Sequence, residues 1–322
     1  MTLRLSIPSS IPLLRILRIS LPGFSAILAL SLIGFIAPAG VMATIRNTML
    51  YINLSIPWVI IFSLGYPSFA SAAFFGVGAY ITTYSLLYGL NPAMGVALSA
   101  IISIGLALAI GYITLRLAGL FFFFATLAIL EAIRQVMNYT EINLTGHIGK
   151  IVPIVISDHL SIALLAMLGM VNIAIYSYLM ATKHRIVISS IRWDKILAIS
   201  HGINPYRYST YIFALTSTMQ AICGGISAFY LLYINPDSVF NPFISLLTLV
   251  IGLLGGYLNI LGPIISSIAI IFLYEYTSRI AEYLNITIIG GIVVAVTLYL
   301  RTNISEVLER YIGRKSLASS TH

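Results

Sequence analysis

The sequence predicts an all-α, polytopic integral membrane protein of about ten transmembrane helices. Three observations predict it. Apolar stretches long enough to cross a bilayer follow one another with short polar breaks between them. The mean hydropathy is +1.01, and charged residues make up only 8% of the 322. With 59% hydrophobic residues, too few polar side chains remain to cover a water-facing surface, so a soluble globular fold is excluded. The net charge of +8 does not point to nucleic acid. The basic residues sit in breaks and termini, where they orient spans and meet the headgroups of the lipid bilayer. Cys223, the only cysteine, lies in an apolar stretch, which removes disulfides within the chain and cysteine metal sites.

A span needs about 20 apolar residues to cross ~30 Å of hydrocarbon. On that rule the spans fall near 24–43, 48–66, 70–88, 93–115, 119–137, 160–181, 209–233, 242–260, 262–282 and 284–300. Residues 1–23 then form a cytoplasmic N-terminal segment, 24–300 the membrane domain and 301–322 a basic tail. Ala37-Pro38-Ala39 could pass as a small-residue cleavage site, but the apolar run continues past it, so an uncleaved first span is expected. Gly65-Tyr66-Pro67 interrupts a long apolar run, so a broken or re-entrant helix is expected there.

Lysine and arginine set the orientation. With the N-terminus inside, 13 of the 17 fall on the cytoplasmic side and four (Arg46, Arg134, Lys150 and Arg279) outside. This asymmetry predicts N-in and C-in with an even number of spans. The outer break of 138–159 carries Glu141, His147, Asp158 and His159.

Only one break is both long and basic, 182–209. Ile188, Ile191, Ile196 and Ile199 recur there at spacings of three to five among Arg192, Asp194 and Lys195, as in one short amphipathic helix. Gly202 supplies a C-terminal stop and Asn204-Pro205 prevents continuation.

Charges inside spans are costly, at least ~2.5 kcal/mol at mid-bilayer. Glu131 has Arg134 at i+3, which reads equally as a local ion pair or as a polar border of a permeation path. Glu275 has Arg279 at i+4 and reads as a local pair. Gly65, Gly76, Gly78, Gly255 and Gly256 are expected to let helices approach closely, because lipid offers no hydrophobic drive for association. Phe121–Phe124 goes right round a helix and faces lipid or a neighbouring helix. No phosphate-binding loop is present, and neither a nucleophile–base pair nor a metal-ligand set can be picked out, so catalysis by this chain has no support.

Three ordered stretches resemble the permease subunits of branched-chain amino acid ABC importers, in their LivM-like branch. Ser68-Phe69-Ala70-Ser71-Ala72-Ala73-Phe74-Phe75-Gly76-Val77-Gly78-Ala79-Tyr80 is similar to that family's S-L-G-H-A-A-F-F-G-I-G-A-Y. Leu115-Arg116-Leu117-Ala118-Gly119-Leu120, running through Thr126-Leu127-Ala128 to Glu131, is similar to L-R-L-R-G-I-Y-F-A-x-x-T-L-A-x-x-E. Pro236-Asp237-Ser238, Gly255-Gly256 and Gly262-Pro263 follow P-D-S…G-G-x-G-S-x-x-G-P. Arg192, Asp194, Ala198, Gly202, Ile203 and Asn204 also match R-x-D-x-x-x-A-x-x-x-G-I-N, with Lys195 where the family has glutamate. Ala70, Ser71 and Leu258 depart from the family's glycine, histidine and glycine.

The resemblance implies an importer driven from outside this chain. Its partners would be a paralogous permease subunit, two cytoplasmic ABC ATPase subunits that hold ATP and Mg, and an extracytoplasmic substrate-binding protein. The location would be a prokaryotic plasma membrane and the cargo branched-chain or related amino acids. Ser68, Ser71, Phe74, Thr126 and Glu131 would border the path. Arg192, Asp194, Lys195, Ala198 and Gly202 would form the ATPase-coupling helix, as opposed to an interfacial helix lying on anionic lipid. A sugar, nucleoside or urea and amide permease of the same superfamily is the nearest alternative. An ion-coupled secondary transporter is a further one, which the partnered Glu131 and Glu275 disfavour.

Overall fold

The computed structural model describes residues 12–117, 119–280 and 290–291. Among them the chain is helical almost throughout. Long helices α1 (Pro12–Ile36), α2 (Ala39–Ser63), α3 (Ser71–Leu87), α4 (Pro92–Thr114), α5 (Leu120–Thr145) and α6 (Asp158–Ala181) come first. Two short helices follow, α7 (His184–Trp193) and α8 (Lys195–Ser200). Then come α9 (Pro205–Ala228), α10 (Pro236–Val239), α11 (Pro242–Gly255) and α12 (Leu261–Ile280). One small ladder pairs β1 (Lys150–Ile151) with β2 (Tyr233–Ile234), antiparallel, Lys150 opposite Ile234.

Seven stretches among the described residues are helical, long and apolar enough to cross a membrane: 13–36, 39–63, 92–114, 120–143, 158–181, 236–255 and 261–278. Helices α3 and α9 coincide with two predicted spans but are not among the seven. The first is only 17 residues long, and the second is diluted by Ser, Thr, Gln and Gly. The predicted span 284–300 and the tail 301–322 lie outside the described residues.

The first span is misplaced in the sequence reading. Helix α1 already begins at Pro12, and the chain breaks at Ala37-Pro38, where 24–43 was expected to run through. Proline at 38 cannot donate to the preceding turn and starts a new helix instead. The break expected at 138–159 shrinks to 146–157, because α5 continues to Thr145 and α6 starts at Asp158.

Helix starts follow a pattern that the sequence carries openly. Asn91-Pro92, Asn204-Pro205, Asn235-Pro236 and Asn241-Pro242 open α4, α9, α10 and α11, each Asn side chain accepting a backbone N–H of the first turn. Asparagine satisfies an orphan donor and proline pre-sets the helical φ.

Helices α3 and α9 form the centre, packed on each other and flanked by α4 and α2. Their contact is backbone on backbone. A Cβ on Gly78 would strike the carbonyl of Ala221, and one on Gly224 the carbonyl of Phe75. Gly76 accommodates the Phe240 ring, and Gly255 and Gly262 meet face to face between α11 and α12. Gly65 and Gly256, expected as packing glycines, serve instead as turn residues at φ +91 and +72, where a side chain is strained.

Candidate functional site

Four of the five expected path residues gather around the link between α2 and α3. Residues 64–70 leave the helix, as Gly65-Tyr66-Pro67 led one to expect, yet Tyr66, Ser68, Phe69 and Ala70 stay buried. Buried irregular backbone must find partners for its polar groups. The Trp58 indole donates to the Ser68 carbonyl at 2.7 Å. The Phe69 N–H donates to the Thr126 hydroxyl at 2.9 Å, and the Ala70 N–H to the Ser68 hydroxyl at 3.2 Å. Ser68 and Thr126 therefore hold this joint in place.

Ser71 and Phe74 point from α3 towards α9. The Ser71 hydroxyl accepts from Gln220 Nε2 at 3.0 Å, and the same nitrogen donates to the Leu54 carbonyl at 3.2 Å. One amide thus ties α2, α3 and α9 together. Phe74 meets Phe213 edge to face at 5.7 Å, and Phe122 meets the same ring edge to face at 6.1 Å. A second buried polar tie joins α2 to α6, with Asn172 Nδ2 donating to Asn53 Oδ1 at 2.9 Å. Sequence reasoning missed Gln220, Asn53 and Gly224; the available signal was an amide or glycine interrupting an apolar run.

Glu131 is placed elsewhere, on an outward face of α5. Arg134 donates to it at 2.6 Å and Gln135 at 2.8 Å. Arg134 also reaches Asp237 at 3.3 Å. The Glu131 side chain is 40% exposed although it sits near the middle of a 26-residue helix. Phe121 and Phe124 face outward on the same helix while Phe122 is buried. Glu275 accepts from Asn47 Nδ2 at 2.7 Å; the side chain of Arg279, its expected partner, lies outside the described residues.

The long basic break folds as two helices, where one was expected. Asp194 is extended (φ −154, ψ 109), which ends α7, and its carboxylate caps α8 by accepting from the Ile196 N–H at 2.8 Å. The four isoleucines consequently do not share a face: Ile188 and Ile191 are buried, Ile196 and Ile199 exposed. Gly202 does end α8, at φ +76, with the Ile203 N–H returning to the Ala198 carbonyl. Ala198 is fully buried.

Two cations of this element, Arg192 and Lys195, turn inward, while Lys183 and Arg185 are exposed. Arg192 donates to the Phe62 carbonyl at 2.7 Å and lies over the Tyr257 and Phe62 rings at 4.3 and 5.0 Å. Lys195 Nζ stands 4.8 Å over Tyr66. Such cation–π contacts hold the loop against the ends of α2 and α11. Trp193, Ile196 and Ile199 face outward beside the two inward cations, as does Ile186.

These contacts define two ends. The links 64–70, 115–117, 182–204 and 256–260 lie at one, which carries Arg116, Lys183, Arg185, Arg192, Lys195 and Arg207 along with Asp194. The opposite end holds the β1–β2 ladder, the Arg46–Asp158 ion pair and Arg134 with Asp237.

A family model described as the permease component of the branched-chain amino acid transport system matches residues 40–300. No curated protein and no solved structure matches the chain. The match covers most of the sequence, so the chain belongs to that permease family and is an integral membrane transport protein.

Proposed function

We propose that this family member is the membrane-spanning subunit of an ATP-driven ABC importer for branched-chain or related amino acids, forming half of the translocation path. Hydrolysis of ATP with Mg takes place on two cytoplasmic ATPase subunits, and a substrate-binding protein delivers cargo from outside. The basic end faces the cytoplasm, giving N-in and C-in in a prokaryotic plasma membrane, with the permease domain running from α1 to residue 300 and 301–322 as a cytoplasmic tail.

The observation that carries this reading is the orientation of α7 and α8. An interfacial lipid anchor turns its cations towards headgroups and water. Here the two cations at the α7–α8 junction, Arg192 and Lys195, are spent on the bundle and only Lys183 and Arg185 near the start of α7 stay exposed, while Trp193, Ile196 and Ile199 project from a short, firmly seated pair of helices. That is the form of a knob for a groove on a soluble subunit. Arg192, Lys195, Ala198 and Gly202 seat the knob, and Asp194 sets the angle between its two helices.

The α5 face supports a paired permease. A Glu131–Arg134 pair left partly exposed on α5, one turn inside the end where Arg134 meets Asp237, suits a water-lined path or a second subunit better than lipid. In this reading Glu131 borders the path. Ser71 and Phe74 fix α3 against α9 within the bundle, and Ser68 and Thr126 brace the joint between α2 and α3.

Two experiments on the assembled complex test this. In a Cys223→Ser background, an impermeant thiol reagent on intact cells should label Ser157→Cys and spare Ser189→Cys; the reverse pattern overturns the orientation. Ile196→Glu should lower co-purification of the ATPase subunits, and an undiminished yield removes the docking role.

A further inference from the structure

At the basic end a groove opens between the last turn of α4 and the first turns of α9. It encloses about 860 Å³. Its lower walls are apolar, from Leu108, Gly111 and Leu115, and its mouth is ringed by Arg116, Arg207 and the tyrosines 112, 206 and 211. Neither arginine has an acidic partner among the described residues. The Arg116 guanidinium lies 4.8 Å from the Tyr112 ring, a neighbour that holds it in place without neutralising it. Arg207 is exposed, and only its backbone is engaged, capped by Asn204 at 3.1 Å.

The outer face of α4 shows what surrounds this groove. Ile101, Ile102, Ile104, Tyr112 and Ile113 are all exposed. In a membrane protein such a face meets acyl chains, and tyrosine with arginine marks the level of the headgroups. Two uncompensated guanidiniums at that level, above an apolar furrow between two long helices, complement one kind of molecule: a negative phosphate carrying hydrocarbon tails. We propose that this groove is a binding site for one anionic phospholipid, its phosphate between Arg116 and Arg207 and an acyl chain along Leu108 and Gly111. The inference needs only the membrane location and is independent of what the permease carries. Because Arg207 begins α9, the central helix, a bound lipid would brace the joint where the α8 turn enters the bundle.

The test is retention of lipid by the complete transporter in nanodiscs containing phosphatidylglycerol and phosphatidylcholine, read by native mass spectrometry. Wild type should retain phosphatidylglycerol selectively. Arg116→Gln/Arg207→Gln should weaken that retention about 30-fold, as expected for two basic residues near the surface. Leu108→Trp, which fills the furrow without changing charge, should also release the lipid, and Arg185→Gln, at the same end but outside the groove, should not. Equal retention of both lipids by wild type overturns the site. So does loss in the arginine variant with full retention in Leu108→Trp, which would mean diffuse attraction to a basic surface. A photoreactive phenylalanine analogue at Tyr112 should crosslink to lipid; a crosslink to another subunit instead would assign the groove to a protein partner.

Discussion

Helices α5 and α9 invert the rule by which soluble proteins are read. Helix α5 is apolar enough to stand among the seven candidate spans, yet only 17% of its apolar window is buried within the chain. Helix α9 falls short of that apolarity and is buried along nearly its whole length, from Ser209 through Gln220 to Ala228. In lipid the solvent is hydrocarbon, so apolar side chains gain little by leaving it. Association then rests on close backbone approach and satisfied polar groups. The small and polar residues that make α9 a poor span are therefore what makes it the centre. The faces that lack such residues are the ones left for lipid or for a partner.

The largest effect should come from the glycines that allow the approach. Gly78→Leu would drive a side chain into the Ala221 carbonyl, a backbone atom that cannot yield without moving α9. We expect a loss of about 3 kcal/mol or more and little monodisperse protein by fluorescence-detected size exclusion. Gly105→Leu, on α4 where nothing lies within 4 Å, should leave the profile unchanged. Equal behaviour of the two variants would break the contrast between packed and lipid-facing helices.

A smaller effect should follow from the polar tie. Gln220→Leu removes the hydrogen bonds to Ser71 and to the Leu54 carbonyl while keeping similar volume. Interhelical hydrogen bonds in membranes contribute ~0.6 kcal/mol on average, so the expected cost is about 1 kcal/mol, seen as a drop of a few degrees in melting temperature. No shift would mean that the amide has exchanged partners and that α9 is held by its glycines alone.

On α5 the expectation is the opposite kind of result. Glu131→Gln removes the charge that Arg134 faces at 2.6 Å, but Arg134 keeps Asp237. Membrane insertion and thermal stability should stay within ~0.5 kcal/mol of wild type, while substrate uptake falls severalfold. Unchanged uptake at equal protein level would leave Glu131 as a surface ion pair and move the path away from α5.

The same inversion explains what the sequence revealed and what it hid. Hydropathy located most of the helices, the Gly65-Tyr66-Pro67 break and the Gly202 stop, because each is written locally in composition or in a residue's φ preference. It misplaced the first span, since Pro38 looks like any interruption of an apolar run until the helix on each side is seen. It merged α7 and α8, because the isoleucine spacing continues across Asp194 although the backbone does not. The partners of Arg192, Lys195 and Gln220 come from distant helices, and no spacing rule encodes a cation over Tyr257 or an amide reaching Leu54 and Ser71 together.

The central claim, coupling of this bundle to an external ATPase through the α7–α8 knob, meets its most direct test in proteoliposomes. These would hold the complete complex, with ATP and a labelled branched-chain amino acid supplied. The account predicts uptake that requires ATP and the ATPase subunits. Gly202→Val, strained at φ +76, should lose both substrate-stimulated hydrolysis and uptake while the complex stays assembled. Uptake by this chain alone, driven by a proton or sodium gradient and indifferent to Gly202→Val, would contradict it.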